Sequence, residues 1–143
     1  MTIKMIKSRR VLADCELALE KFSLNPIASE FRLILVNCFA LLRAIGHVAK
    51  SEAEEYGILY ENKIIWNQIK NDDLFIHFID EFRNNVLKEY KSAVSWASVT
   101  SEENHRMEYL INEGFYKNHD VRELIQESVK WWRNYLDQIE SVS

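Results

Sequence analysis

Apolar residues recur along most of this chain at spacings of three and four, the period that lines side chains up on one face of an α-helix. Ile6, Val11, Cys15, Ala18, Leu19 and Phe22 form one such face and predict a helix over about 4–22. A turn at 23–26 follows, with Asn25 placed to cap and Pro26 at the first position of the next helix. That second helix, about 27–50, is apolar around most of its circumference and is expected at the centre of the fold. The acidic stretch after it runs to Gly57, a residue suited to closing a helix. Residues 58–71, with Trp66, predict a connector or short helix. Asp72 or Asp73 then caps a helix reaching about Tyr90, where the carboxylate also suits the helix dipole.

Beyond it the periodicity weakens. Small and β-branched residues from Ser92 to Thr100 predict an extended segment or loop, and a short helix is expected around Met107–Ile111. The last helix, about 120–139, carries Val121, Leu124, Ile125, Val129, Trp132, Tyr135, Leu136 and Ile139 at helical spacing. Trp131 and Trp132 are adjacent and cannot both face the core, so one is expected in the core and the other at a protein interface. The pattern describes an all-α, four- to five-helix bundle with helix two central, in one domain over 1–143.

Composition agrees and narrows the classes. Only three Gly and one Pro occur among 143 residues, few enough to favour long helices over many short strands. Cys15 and Cys38 stand alone without a CxxC spacing and read as free thiols. No apolar run resembles a secretory signal. The most apolar stretch, 31–48, is broken by Arg32, Asn37, Arg43 and His47, so a buried helix in a cytoplasmic protein is expected, not a membrane span. A net charge of −4 argues against broad electrostatic binding of nucleic acid but leaves room for a local basic cleft. No ligand spacing for a metal, no phosphate loop and no nucleophilic triad is present, so neither metal nor cofactor is expected.

Two placements of charge carry the chemistry. On a 100° wheel Arg83 falls among the apolar residues of its helix, beside Ile76, Ile79, Leu87 and Tyr90, whereas His77, Asp80, Glu81, Asn84 and Lys88 gather opposite. A guanidinium stays protonated, so it must meet a carboxylate, carbonyls or a wet anion-binding cleft. On helix two, Arg32, Arg43, His47 and Lys50 fall within about 60° of one another with no acid in the strip. They either pair with acids of neighbouring helices or line an anion site.

These residues resemble the HEPN superfamily of all-α bacterial and archaeal proteins, whose signature is Arg, four to six residues, then His, with a polar residue often directly after the Arg. Phe31-Arg32-Leu33, the segment Leu41 to Val48, and Phe82-Arg83-Asn84 with Leu87 to Tyr90 carry the resemblance. It implies a homodimer whose cleft processes RNA, with Arg holding a phosphate and His moving protons. The chain departs from the signature in having Lys88, Glu89 and Tyr90 where the His is expected. Arg83, Asn84, Tyr90, Arg43 and His47 are accordingly the candidate RNA- or anion-binding residues of an atypical or inactive endoribonuclease. The alternative is a non-catalytic interaction module of toxin–antitoxin type, with Arg83 in a structural pair with a carboxylate such as Glu16, Glu20 or Glu89.

Overall fold

The computed structural model describes residues 3–22, 28–85, 94–100 and 105–142, with backbone alone at 28, 29, 94–100 and 105–108. The chain is an all-α bundle. Its helices are α1 (Ile6–Phe22), α2 (Ala28–Glu55), α3 (Leu59–Ile69), α4 (73–85) and α5 (Val121–Glu140). Between α4 and α5, β1 (Val94–Thr100) and β2 (His105–Ile111) form one antiparallel hairpin, Val94 opposite Ile111 and Thr100 opposite His105. The turn at Asn25-Pro26 lies outside the described residues.

The short helix expected around Met107–Ile111 is therefore a strand. Tyr109 and Ile111 are buried while Leu110 between them is less so, the two-residue alternation of a strand laid on the bundle. Tyr109 stacks on Phe31 at 4.8 Å and meets Phe22 edge-on at 5.1 Å. A five-residue segment has too little helical propensity to resist such packing.

Helix α2 runs one turn beyond its expected end. Its apolar face continues through Ala49 and Ala53, both fully buried. It then closes in a Schellman motif: Gly57, at φ 72°, donates to the Glu54 carbonyl and Ile58 donates to that of Ala53. The buried Ile58 side chain lies just past the cap. By length and composition alone, 30–55 is long and apolar enough to cross a membrane. In the fold Phe31, Leu35, Cys38, Phe39, Leu42 and Ile45 are its buried residues, and α1 and α5 both pack on it.

The extra turn gives α2 a second task. Glu52, only 3% exposed, accepts the backbone N–H groups of Lys7 (3.0 Å) and Ser8 (2.6 Å) and the Ser8 hydroxyl (2.6 Å). It thus satisfies donors of the first turn of α1, which no residue of α1 caps. Glu140 of α5 secures the same end by accepting the Met5 N–H at 2.8 Å and Arg9 Nε at 3.2 Å. Burial alone would raise the Glu140 carboxyl, but Arg9 and the Met5 N–H hold it below its ordinary value.

Helix α5 meets α2 and α3 through aromatic rings. Trp132 is fully buried and stacks on Trp66 of α3 at 6.1 Å, with Tyr135 and Trp131 edge-on to it. Trp132 takes the core position expected of one of the pair, while Trp131 is partly buried and stacks on Phe75 at 5.4 Å. Gly46 lets α2 approach this cluster: a Cβ there would lie 2.9 Å from the Trp132 ring. Gly46→Ala gains up to about 1 kcal/mol of helix propensity but overpacks a core at a cost of roughly 1–3 kcal/mol. Trp132 has no room to turn among its ring neighbours. The expected outcome is a net loss of about 1–2 kcal/mol in a urea melt, and a variant more stable than the parent would contradict this packing.

Candidate anion-binding site

A strip of α2 flanking its buried face carries Arg43, His47 and Lys50, at the four- and three-residue spacings that keep them together. Helix α3 lies across the end of this strip. Between the two helices is a cavity of about 450 Å³, within the range of small-molecule sites. All three α2 residues line it, joined by Lys63, Asn62, Asn67 and Trp66 of α3 and Tyr135 of α5. No carboxylate lines it among the described residues. Arg32 lies farther along α2, exposed and outside the lining.

The cavity has a polarity of its own. His47, Lys50, Lys63 and Asn67 are exposed, whereas Asn62 and Tyr135 are buried at 5% and 2%. Cations therefore stand at the mouth and an amide with a phenol at the floor. Tyr135 donates its hydroxyl to Asn62 Oδ1, and burial pushes its ionisation far above the ordinary tyrosine value. It is a neutral hydrogen-bonding group at any physiological pH. None of Arg43, His47, Lys50 or Lys63 makes an ion pair or hydrogen bond with protein among the described residues. Four positive or protonatable groups without acidic partners, on walls of Trp66 and Leu59, suit a ligand bearing negative charge and a flat apolar part.

Arg83 stands elsewhere. Phe39 of α2 packs on Phe78 and Phe82 at 5.3 and 5.5 Å, which brings the next turn of α2, with Arg43, toward α4. The Arg83 side chain is 13% exposed and does not line the cavity. Its Nη2 donates to Asn84 Oδ1 at 2.6 Å and Asp80 Oδ1 at 3.3 Å, while buried Nε has no partner among the described residues. Burial and then the charge of Arg43 lower its pKa, although a guanidinium remains protonated. Of the carboxylates expected to face it, Glu16 is taken by Arg133 and Glu89, like Tyr90, lies outside the described residues. Among the described residues the carboxylate that meets Arg83 is Asp80, on the same helix.

Asp80 and Arg83 are an i, i+3 pair, only about 60° apart on an α-helical wheel, so setting Asp80 opposite Arg83 overstates their separation. Helix α4 itself is wound as a π-helix over Phe75–Phe82. The Arg83 N–H reaches the carbonyl of Phe78, five residues back. Seven residues make nearly two turns of α-helix but fall well short of two turns at π winding. Ile76 and Arg83 therefore no longer share a side, and Ile76 is exposed at 37%. Asp80 is itself 44% exposed, so water can take the place of Arg83 on its carboxylate. Arg83→Ala should then change stability by no more than about 1 kcal/mol, well short of the roughly 3–5 kcal/mol for stranding a buried charge. A thermal melt checks this; a loss of several kcal/mol would show that the pair is energetically sealed.

His77 faces away from both arginines. It stacks on Phe115 at 4.1 Å and its Nδ1 lies 3.2 Å from Glu81. Cys15 and Cys38 are buried free thiols, each pushed up to about 12 by burial, and do not act as nucleophiles at neutral pH. No group of three His, Cys, Asp or Glu converges as a metal site among the described residues.

Sequence reasoning had Arg43 and His47 among its site candidates and missed the α3 wall. The signal was present: Asn62, Lys63, Trp66 and Asn67 occupy one side of a helix at spacings of one, three and one. The short helix that 58–71 predicts as one of its two readings is α3, Leu59–Ile69. Compared with models of protein families, with curated proteins and with solved structures, the chain matches none.

Proposed function

We propose that this chain binds RNA through its phosphates at the α2–α3 cleft, as an atypical member of the HEPN-like proteins that its sequence resembles. The observation that carries the reading is the convergence of Arg43, His47, Lys50 and Lys63 on one cavity without a carboxylate in its lining. In a chain of net charge −4, a local concentration of unpaired cations is costly unless a ligand anion offsets their repulsion. Arg83 and Asn84 support the site from behind: Arg83 adds its field to Arg43 but is itself held by Asp80 and Asn84. The reading is one of binding in the cytoplasm, with no bond cleavage assigned.

The same reading includes a homodimer. Tyr60 and Ile64, one turn apart on α3, are 74% and 42% exposed, apolar side chains that a second copy would cover. The interaction-module alternative draws support from one contact, the Arg83–Asp80 pair, which gives Arg83 a structural partner without any ligand.

The test is fluorescence anisotropy of a labelled single-stranded RNA at several salt concentrations. Engagement of three or four phosphates predicts a log–log slope of roughly −2 to −3. Absence of binding at about 50 mM salt, where such contacts are strongest, would end the reading.

A further inference from the structure

We infer that the α2–α3 cavity holds a single nucleoside monophosphate unit, base inward and phosphate at the mouth. The inference rests on the anion-site part of the proposed function and adds the chemistry of what enters. Three observations carry it. The cations are at the rim: Lys50, Lys63 and His47 are exposed, so a phosphate placed among them keeps part of its hydration. The floor is polar in a directional way. Asn62 Oδ1 is already occupied by the Tyr135 hydroxyl, and Asn62 Nδ2 has no partner among the described residues. It is a donor without a protein partner on a residue that is 5% exposed and lines the cavity. Such an N–H₂ group suits a ligand acceptor of the kind every nucleobase edge presents.

The third observation is the wall. Trp66 is fixed by stacking on Trp132 at 6.1 Å and by edge contacts with Phe75 at 4.9 Å and Tyr135 at 5.9 Å. A ring held on several sides loses little freedom when a base lies against it. A flat ring with acceptors, joined by a short polar spacer to a phosphate, satisfies floor, wall and rim together. A bare phosphate or a sugar phosphate satisfies the rim alone.

Isothermal titration of the full chain with adenosine monophosphate, ribose 5-phosphate, phenyl phosphate and inorganic phosphate tests this. The nucleotide should bind at least tenfold more tightly than ribose 5-phosphate, with phenyl phosphate between them because it has the ring but no acceptors. Asn62→Asp keeps an acceptor for Tyr135 and removes the donor. Its added charge weakens both phosphates alike, so the ratio of nucleotide to ribose 5-phosphate affinity is the readout, and it should fall toward one. A parent ratio near one overturns the inference whether or not the variant folds, as does a folded Asn62→Asp that keeps the parent ratio. If RNA binds with the salt slope given above while that ratio is one, the inference falls and the proposed function stands. If the nucleotide binds with the expected ratio and RNA does not bind, the cavity is a mononucleotide site and the RNA reading falls alone. Absence of binding by every probe removes both.

Discussion

Glu52→Ala should melt well below the parent, with the largest stability loss expected of any single side chain considered. Three donors, the Lys7 and Ser8 N–H groups and the Ser8 hydroxyl, converge on this one carboxylate. Each buried donor left without an acceptor costs about 1–3 kcal/mol, and one of the three is only partly buried and can recruit water. A total of about 3–4 kcal/mol follows, larger than the 0.5–2 kcal/mol of an ordinary helix cap because the contacts also pin α1 to α2. For a chain of this size that corresponds to a midpoint lowered by roughly 10 °C. Glu52→Gln keeps one acceptor oxygen and should lose about half as much. Ser8→Ala, which removes only the hydroxyl contact, should lose about 1 kcal/mol. If Glu52→Ala matched the parent within 1 kcal/mol, the first turn of α1 would not depend on α2 for its capping.

The second large effect concerns ligand affinity. Lys63→Glu and Lys50→Glu are each expected to weaken RNA binding by about 10- to 100-fold, the equivalent of losing a charge-assisted contact of roughly 1.5–3 kcal/mol. Both side chains are exposed and unpaired, so stability should stay within about 0.5 kcal/mol of the parent. Lys130→Glu is the control. It makes the same change in net charge on α5, outside the cavity lining, where Lys130 lies 3.5 Å from Glu127. Anisotropy titrations of the three variants separate a local site from a general charge effect. Equal losses in all three would mean that RNA responds only to net charge, and the cleft would lose its claim.

Arg83 and Arg43 show how differently two charges can be judged from sequence. Each sits on a helix face where the wheel reading sets no acid beside it. For Arg43 that inference carried through, because α2 is an ordinary α-helix there and a 100° step places its side chains correctly. Of the strip read from spacing, Arg32, Arg43, His47 and Lys50, the last three line the cavity. For Arg83 it did not, because Asp80, three residues back and about 60° away on the wheel, is close enough to pair with it. The π winding of Phe75–Phe82, which separates Ile76 from Arg83, is announced by no residue in that segment.

The sequence by itself determined the periodic parts of this protein: the helical faces of α1, α2 and α5, the central place of α2, the closing role of Gly57, and the burial of Trp132. These follow from local rules, in which side-chain spacing or a left-handed glycine acts within a turn or two of itself. Tertiary structure alone decided the rest. The Tyr109–Ile111 segment became a strand because Phe22 and Phe31 offered a surface for alternate residues, contacts about 80 residues away in the chain. Glu52, an acid in an acidic tail, became the cap of another helix because packing placed it beneath the start of α1. The cavity exists only where α3 crosses the basic strip, and its floor depends on Tyr135 of α5 meeting Asn62. A site assembled from three helices has no spacing of its own, since the distances that define it are set by packing.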